Sequence, residues 1–133
     1  MKKILLIGLA VCFYSNIALA EGCAKGGGRI VTAVNGTKYC FSKVTMNWWS
    51  AFAWCDTAGY KMPHPNTDCD CEGYPECDPE SSCGNLKGIG ENWQITWTSL
   101  SDGQKGGTIS LGEGSLSKSD KKAPANTYIL CRM

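Results

Sequence analysis

Apolar residues fill positions 4–14 almost without interruption, behind Met1-Lys2-Lys3 and ahead of the small-residue triplet Ala18-Leu19-Ala20. A charged start, a short apolar middle and an A-x-A site predict a secretory signal peptide over residues 1–20, and the run is too short to span a bilayer. Further along, Arg29-Ile30-Val31-Thr32-Ala33-Val34 and Thr37-Lys38-Tyr39-Cys40-Phe41 are β-favouring stretches on either side of Asn35-Gly36. They predict a hairpin closed by a type I′ turn, because Asn-Gly tolerates the positive φ angles that turn requires. From Asn47 to Gly59 the spacing is helical, with Trp48, Phe52 and Cys55 on one face, Asn47 as the cap and Gly59 as the stop. The predicted helix turns those three residues toward a sheet, with Trp49 and Trp54 covering its edges.

Residues 62–90 show no period. Pro63, Pro65, Pro75 and Pro79 each withhold a backbone donor, and the segment reads as a long irregular loop. Strand-like patches return at 94–99, 108–111 and 127–131. Hairpin, helix, loop and strands in that order predict one α+β domain over residues 21–133, a helix beside an antiparallel sheet. No later segment offers a transmembrane span.

Composition sharpens this picture at two points. Removing Lys2 and Lys3 with the signal takes thirteen basic residues to eleven against twelve acidic ones, and the remaining cations are scattered, which argues against nucleic acid as a partner. Of nine cysteines, Cys12 leaves with the signal, and an even set remains: Cys23, Cys40, Cys55, Cys69, Cys71, Cys77, Cys83 and Cys131. Export and an even count predict four disulfides, and Cys23, just upstream of the hairpin, is expected to fold back onto Cys40. Spacing alone does not choose among the other pairings.

The order of elements and several short motifs resemble the C-type-lectin-like superfamily, in particular its small exported bacterial members. The helix Asn47-Trp48-Trp49-Ser50-Ala51-Phe52-Ala53-Trp54-Cys55 with Gly59 and Met62 looks like the first family helix. Cys83-Gly84-Asn85-Leu86 followed by Trp97-Thr98-Ser99 is similar to the passage into the central strand, and Tyr128-Ile129-Leu130-Cys131 to the last strand. The resemblance implies a C-type-lectin-like fold with antiparallel strands, one main helix, a long disulfide-pinned loop and a Cys55–Cys131 bond; Cys23 and Cys40 would match the extra hairpin bond of longer members. Calcium-dependent sugar-binding members carry Glu-Pro-Asn or Gln-Pro-Asp in the long loop and Trp-Asn-Asp before the last strand. Neither triplet is present, so the resemblance does not carry over calcium-bridged sugar binding.

Candidate chemistry is sparse. His64, between Pro63 and Pro65, reads as an exposed loop histidine, and oxidised cysteines leave no thiolate for it to activate; no catalytic residue is expected. Cys69, Cys71, Cys77 and Cys83 lack the paired two-residue knuckles of a zinc site, and export favours disulfides. Asp68, Asp70, Glu72, Glu76, Asp78 and Glu80 could supply oxygens to calcium, yet no EF-hand spacing fixes them, and they read as a solvated acidic loop. No metal and no cofactor is therefore expected. Trp93 and Trp97 could pack in the core or face a ligand, and the sequence leaves both open. The expected function is a non-enzymatic binding module, exported to the periplasm, the cell surface or the medium, presenting loops 62–93 and 100–126 to a protein or glycan. A structural subunit of a surface appendage or envelope complex, and a secreted toxin or inhibitor, are the alternatives.

Overall fold

The computed structural model describes residues 22–25, 27–69, 83–122 and 126–133. The segment expected as a signal peptide and residues 70–82, including Cys71 and Cys77, lie outside the described residues. The chain runs β1 (Arg29–Thr32), β2 (Lys38–Phe41), α1 (Trp48–Thr57), α2 (Pro65–Asp68), β3 (Ile95–Asp102), β4 (Lys105–Ser110), β5 (Leu116–Asp120), β6 (Thr127–Tyr128) and β7 (Leu130–Arg132). The strands form two sheets, β1-β2-β7 and β5-β4-β3-β6, so the fold is mixed α+β.

The hairpin forms in register, Thr32 opposite Lys38 and Arg29 opposite Phe41. Its turn differs from the expected type I′. Among non-glycine residues described, only Asn126 has a positive φ, so Asn35 does not take the left-handed conformation and Gly36 alone does, at φ 90°. Gly36 N–H bonds the Ala33 carbonyl and Ala33 N–H the Thr37 carbonyl, the pattern of a three-residue connection ending in a left-handed glycine. The reason is tertiary: Asn85 accepts from Val34 N–H through its carbonyl and from Asn35 N–H through Oδ1, fixing the orientation of both turn amides.

Asn47 caps α1 as expected, its side chain accepting from Ser50 N–H at 2.8 Å, and Gly59 follows the helix at φ 78°. The buried face is another matter. Only Ala51 and Cys55 are buried, while Phe52 points outward at 51 % exposure and stacks on Trp48 with ring centroids 5.9 Å apart. Small residues decide this. Trp48 lies over Gly106 of β4, where an added Cβ would sit 2.5 Å from the indole, and its Nε1–H bonds the Thr98 carbonyl at 2.9 Å. With Trp48 held there, Phe52 is left on the solvent side.

The stretch expected as one strand over 127–131 divides at Ile129. Thr127 and Tyr128 pair with β3 in parallel, whereas Leu130 to Arg132 pair antiparallel with β2, so the expectation of a wholly antiparallel sheet is corrected. Ile129 joins the sheets: its carbonyl accepts from Ser42 N–H, and its N–H donates to Ser42 Oγ. The other strands begin or end a few residues from their expected limits, and the structure adds β5, which the sequence pattern does not predict. Its sequence, Leu116-Ser117-Lys118-Ser119-Asp120, is polar because it is an edge strand exposed along most of its length.

Three disulfides are present: Cys23–Cys40, Cys55–Cys131 and Cys69–Cys83, spanning 17, 76 and 14 residues. The core has two parts. Tyr39, Phe41, Leu86, Ile109, Leu111 and Leu130 pack together on one side. Ala51, Cys55, Met62, Trp97, Ile129 and Cys131 pack on the other, beneath α1.

Candidate functional site

Asp68 does not belong to a solvated acidic loop. Pro65 opens α2, where its missing N–H costs nothing and its fixed φ suits a first helical turn. His64 caps that turn, its Nδ1 accepting from Asn66 N–H at 3.1 Å, and is half-buried instead of exposed. The turn delivers the Asp68 side chain into the interior, where it is 1 % exposed. Oδ2 accepts from Arg132 Nη1 and from His64 N–H, both at 2.7 Å, and Oδ1 accepts from the Tyr39 hydroxyl. The Asp68 carbonyl accepts from Asn85 Nδ2 at 2.8 Å. One buried carboxylate thus ties α2 to β2 and β7, while its backbone is bound to the 83–88 turn.

Burial, foremost, and then the bond to Asp68 and that carboxylate's charge push the Tyr39 phenol well above the ordinary tyrosine range. A group whose pKa is raised on folding contributes stability that is complete below its unfolded value, near ~10, and is lost as pH climbs toward the folded value. The difference in unfolding free energy between the natural protein and Tyr39→Phe is expected to shrink above about pH 10. Urea titrations from pH 8 to 11 test this; a constant difference across the range would show that the phenol is not the titrating group.

Beside this node opens a groove of about 280 Å³, bounded by Phe52 and Asp56 of α1, the 60–64 segment, Ser99 of β3 and Arg132 of β7. Backbone bonds fix its walls. Lys61 and Arg132 exchange N–H···O bonds at 3.0 and 2.7 Å, and Ser99 N–H bonds the Pro63 carbonyl at 2.9 Å. Cys55, bonded to Cys131, forms part of the floor and is itself 1 % exposed. His64 reaches the same groove, placed by its capping role.

A second, more apolar depression of about 380 Å³ lies on another side of α1, lined by Lys25, Ala53 and Trp54 among others, with Trp54 Nε1–H donating to the Lys25 carbonyl. Exposed aromatics form two further features. Trp49 and Phe52 flank Trp48, over whose ring the Lys121 ammonium sits at 4.4 Å from the centroid. Lys121 is nearly buried and donates to Ser101 Oγ and the Gly103 carbonyl, so it braces the β3–β4 turn. On another face, Trp93 is 54 % exposed and leans on Tyr128, which meets Phe41 edge-on. Trp97, by contrast, is wholly buried and donates through Nε1 to the Met46 carbonyl at 2.7 Å. The alternatives open for the two tryptophans therefore resolve differently: Trp97 is core, and Trp93 is surface.

No protein-family model matches the chain, and neither does any curated protein or solved structure. The local geometry is thus the only guide to function. Of the cysteines named as a cross-link framework, six are paired among the described residues. Cys69 and Cys83 bond each other, which withdraws two of the four thiols a zinc site in the loop would have needed. Among the described residues no group of three or more histidine, cysteine, aspartate or glutamate side chains is placed to hold a metal, and no helix is long and apolar enough to cross a membrane. Asp70, Glu72, Glu76, Asp78 and Glu80 lie outside the described residues. The groove residues Lys61, Ser99 and Arg132 carry no sequence signal, since they stand far apart in the chain and meet only through the Lys61–Arg132 bridge and the Ser99–Pro63 bond. Asp68 had one: proline at a first helical position with an acid three residues later marks a helical turn, although not its burial.

Proposed function

We propose that this protein is an exported, non-enzymatic binding module on a C-type-lectin-like scaffold, and that the groove between α1, the 60–64 segment, β3 and β7 is where it meets a protein or glycan. The observation that carries the reading is a concave, mixed polar and aromatic site held on both sides by cross-links: the Cys55–Cys131 bond behind it and the Asp68–Arg132 pair beside it. Small polar ligands are recognised by such clefts, which combine an aromatic wall with a few fixed polar groups. The scaffold reading is supported by a helix disulfide-bonded to the last strand and by a second bond at the N-terminal hairpin. A non-catalytic role fits the chemistry at hand, with six cysteines oxidised and the His64 Nδ1 occupied in capping. Three disulfides suit an oxidising compartment outside the cytoplasm.

The test is an NMR titration of the oxidised protein with a panel of oligosaccharides and short peptides. Saturable shifts at the amides of Phe52, Lys61 and Ser99 are expected, without turnover of any panel member. Turnover that disappears in His64→Ala, or groove amides that stay fixed throughout the panel, would overturn the proposal.

A further inference from the structure

Lys61 and Arg132 are directly opposite one another in an isolated antiparallel bridge that joins them by two backbone hydrogen bonds. Residues so paired project to the same face, and like charges placed there repel. Both residues line the groove. Arg132 is partly offset by Asp68, which takes its Nη1 from the buried side. The Lys61 ammonium makes no ion pair among the described residues, and Arg132, with five N–H donors, makes one side-chain hydrogen bond. The bridge therefore sets two cationic residues directly opposite one another on the wall of a concave site, with most of their donors making no bond among the described residues.

We propose that this pair is the recognition element for a carboxylate, carried on a body small enough to lie against Phe52. The inference rests on the groove being the binding surface. A carboxylate entering between Lys61 and Arg132 would accept charge-assisted hydrogen bonds from both, and the planar guanidinium suits its two oxygens. It would also remove the like-charge repulsion that the bridge imposes. The Ser99 hydroxyl stands on the β3 wall as a further donor or acceptor, and Phe52, half exposed, offers a ring face to the apolar side of the ligand. Asp56, on the α1 wall, disfavours a ligand with a second anion at that end and suits a hydroxyl or amide donor instead. The chemistry points to a monoacid with polar substituents, which could be a sugar acid or the glutamate side chain of a peptide.

Three probes separate these sources from each other and from neutral ligands: D-glucuronate, acetyl-glutamate amide and D-glucose, each titrated into the oxidised protein and read at the groove amides. At least one of the two acids is expected to bind about tenfold or more tightly than glucose, and Lys61→Gln to weaken that acid by about tenfold, the loss of one charge-assisted contact. Lys61 is exposed and its bridge uses backbone atoms, so the variant keeps the fold. Phe52→Ala is expected to weaken glucuronate more than the linear acid if the source is a sugar, and to affect both alike if it is a peptide. Glucose binding as well as the acids, with Lys61→Gln neutral, would overturn the carboxylate and leave the binding-module reading intact. Still groove amides with all three probes, while a neutral member of the wider panel moves them, would do the same. Amides that no compound moves would remove the groove itself.

Discussion

Replacing Asp68 with alanine is expected to lower the unfolding free energy by about 3–5 kcal/mol, the largest effect of any single substitution considered, because it breaks a buried ion pair from one side. The loss would be felt at three donors together. The Tyr39 hydroxyl, wholly buried, would have no acceptor, His64 N–H would lose its carboxylate partner, and the Arg132 guanidinium would remain three-quarters buried without its counter-charge. An unsatisfied buried group costs more than the hydrogen bond itself contributes, since its solvation is lost without replacement. Urea unfolding of Asp68→Ala, Arg132→Met and the double variant distinguishes the cost of orphaned partners from the net contribution of the pair. The double variant should be less destabilised than the sum of the two single ones, because it buries no uncompensated charge. Strict additivity, or an Asp68→Ala effect under about 1 kcal/mol, would show that the carboxylate is not the node described.

The second large effect belongs to the Cys55–Cys131 bond. Exchanging both cysteines for alanine opens a loop of 76 residues, which in the chain-entropy account costs about 4 kcal/mol, against about 3 kcal/mol for the 14-residue Cys69–Cys83 loop. A second loss adds to the first. Ala51 and Cys55 are the two buried residues of α1, so the sulfur is a main anchor of the helix on the core, beside the Trp48 indole over Gly106. The pair Cys55→Ala/Cys131→Ala should therefore melt at a lower temperature than Cys69→Ala/Cys83→Ala, with the NMR resonance of the Trp48 indole N–H, bonded to the Thr98 carbonyl, reporting an unseated helix. An equal or reversed order of melting temperatures would contradict both the entropic ranking and the role given to Cys55. The consequence for the proposed binding groove is direct, because Phe52 and Asp56 line it only while α1 stays docked.

The walls of the groove are not held by secondary structure alone. The 60–64 segment is held by the Lys61–Arg132 bridge and the Ser99–Pro63 bond, α1 by a disulfide, and α2 by Asp68. Such a site is preorganised by cross-links and one buried charge, which lowers the ordering cost of binding.

Local pattern determined much of the frame. The hairpin, the Asn47 cap, the Gly59 stop, the central strand through Trp97 and the Cys23–Cys40 pairing all follow from short-range chemistry: turn propensity, capping geometry and the proximity of residues along the chain. The α+β class follows from their order, whereas the Cys55–Cys131 bond joins residues 76 apart and has no short-range signal. Tertiary structure decided what local pattern could not. Asn35 takes an ordinary φ because Asn85, fifty residues away, holds the turn amides. Phe52 faces solvent because glycine at 106 makes room for Trp48 instead. The last strand splits at Ile129 because two sheets compete for its backbone, and a one-residue switch satisfies both. Asp68 is buried because Tyr39, His64 and Arg132 converge on it from separate elements, an arrangement that a run of acidic residues in the sequence conceals. Period and propensity describe a residue's neighbours along the chain, whereas burial of a charge and the meeting of Lys61 with Arg132 depend on partners brought together only by folding.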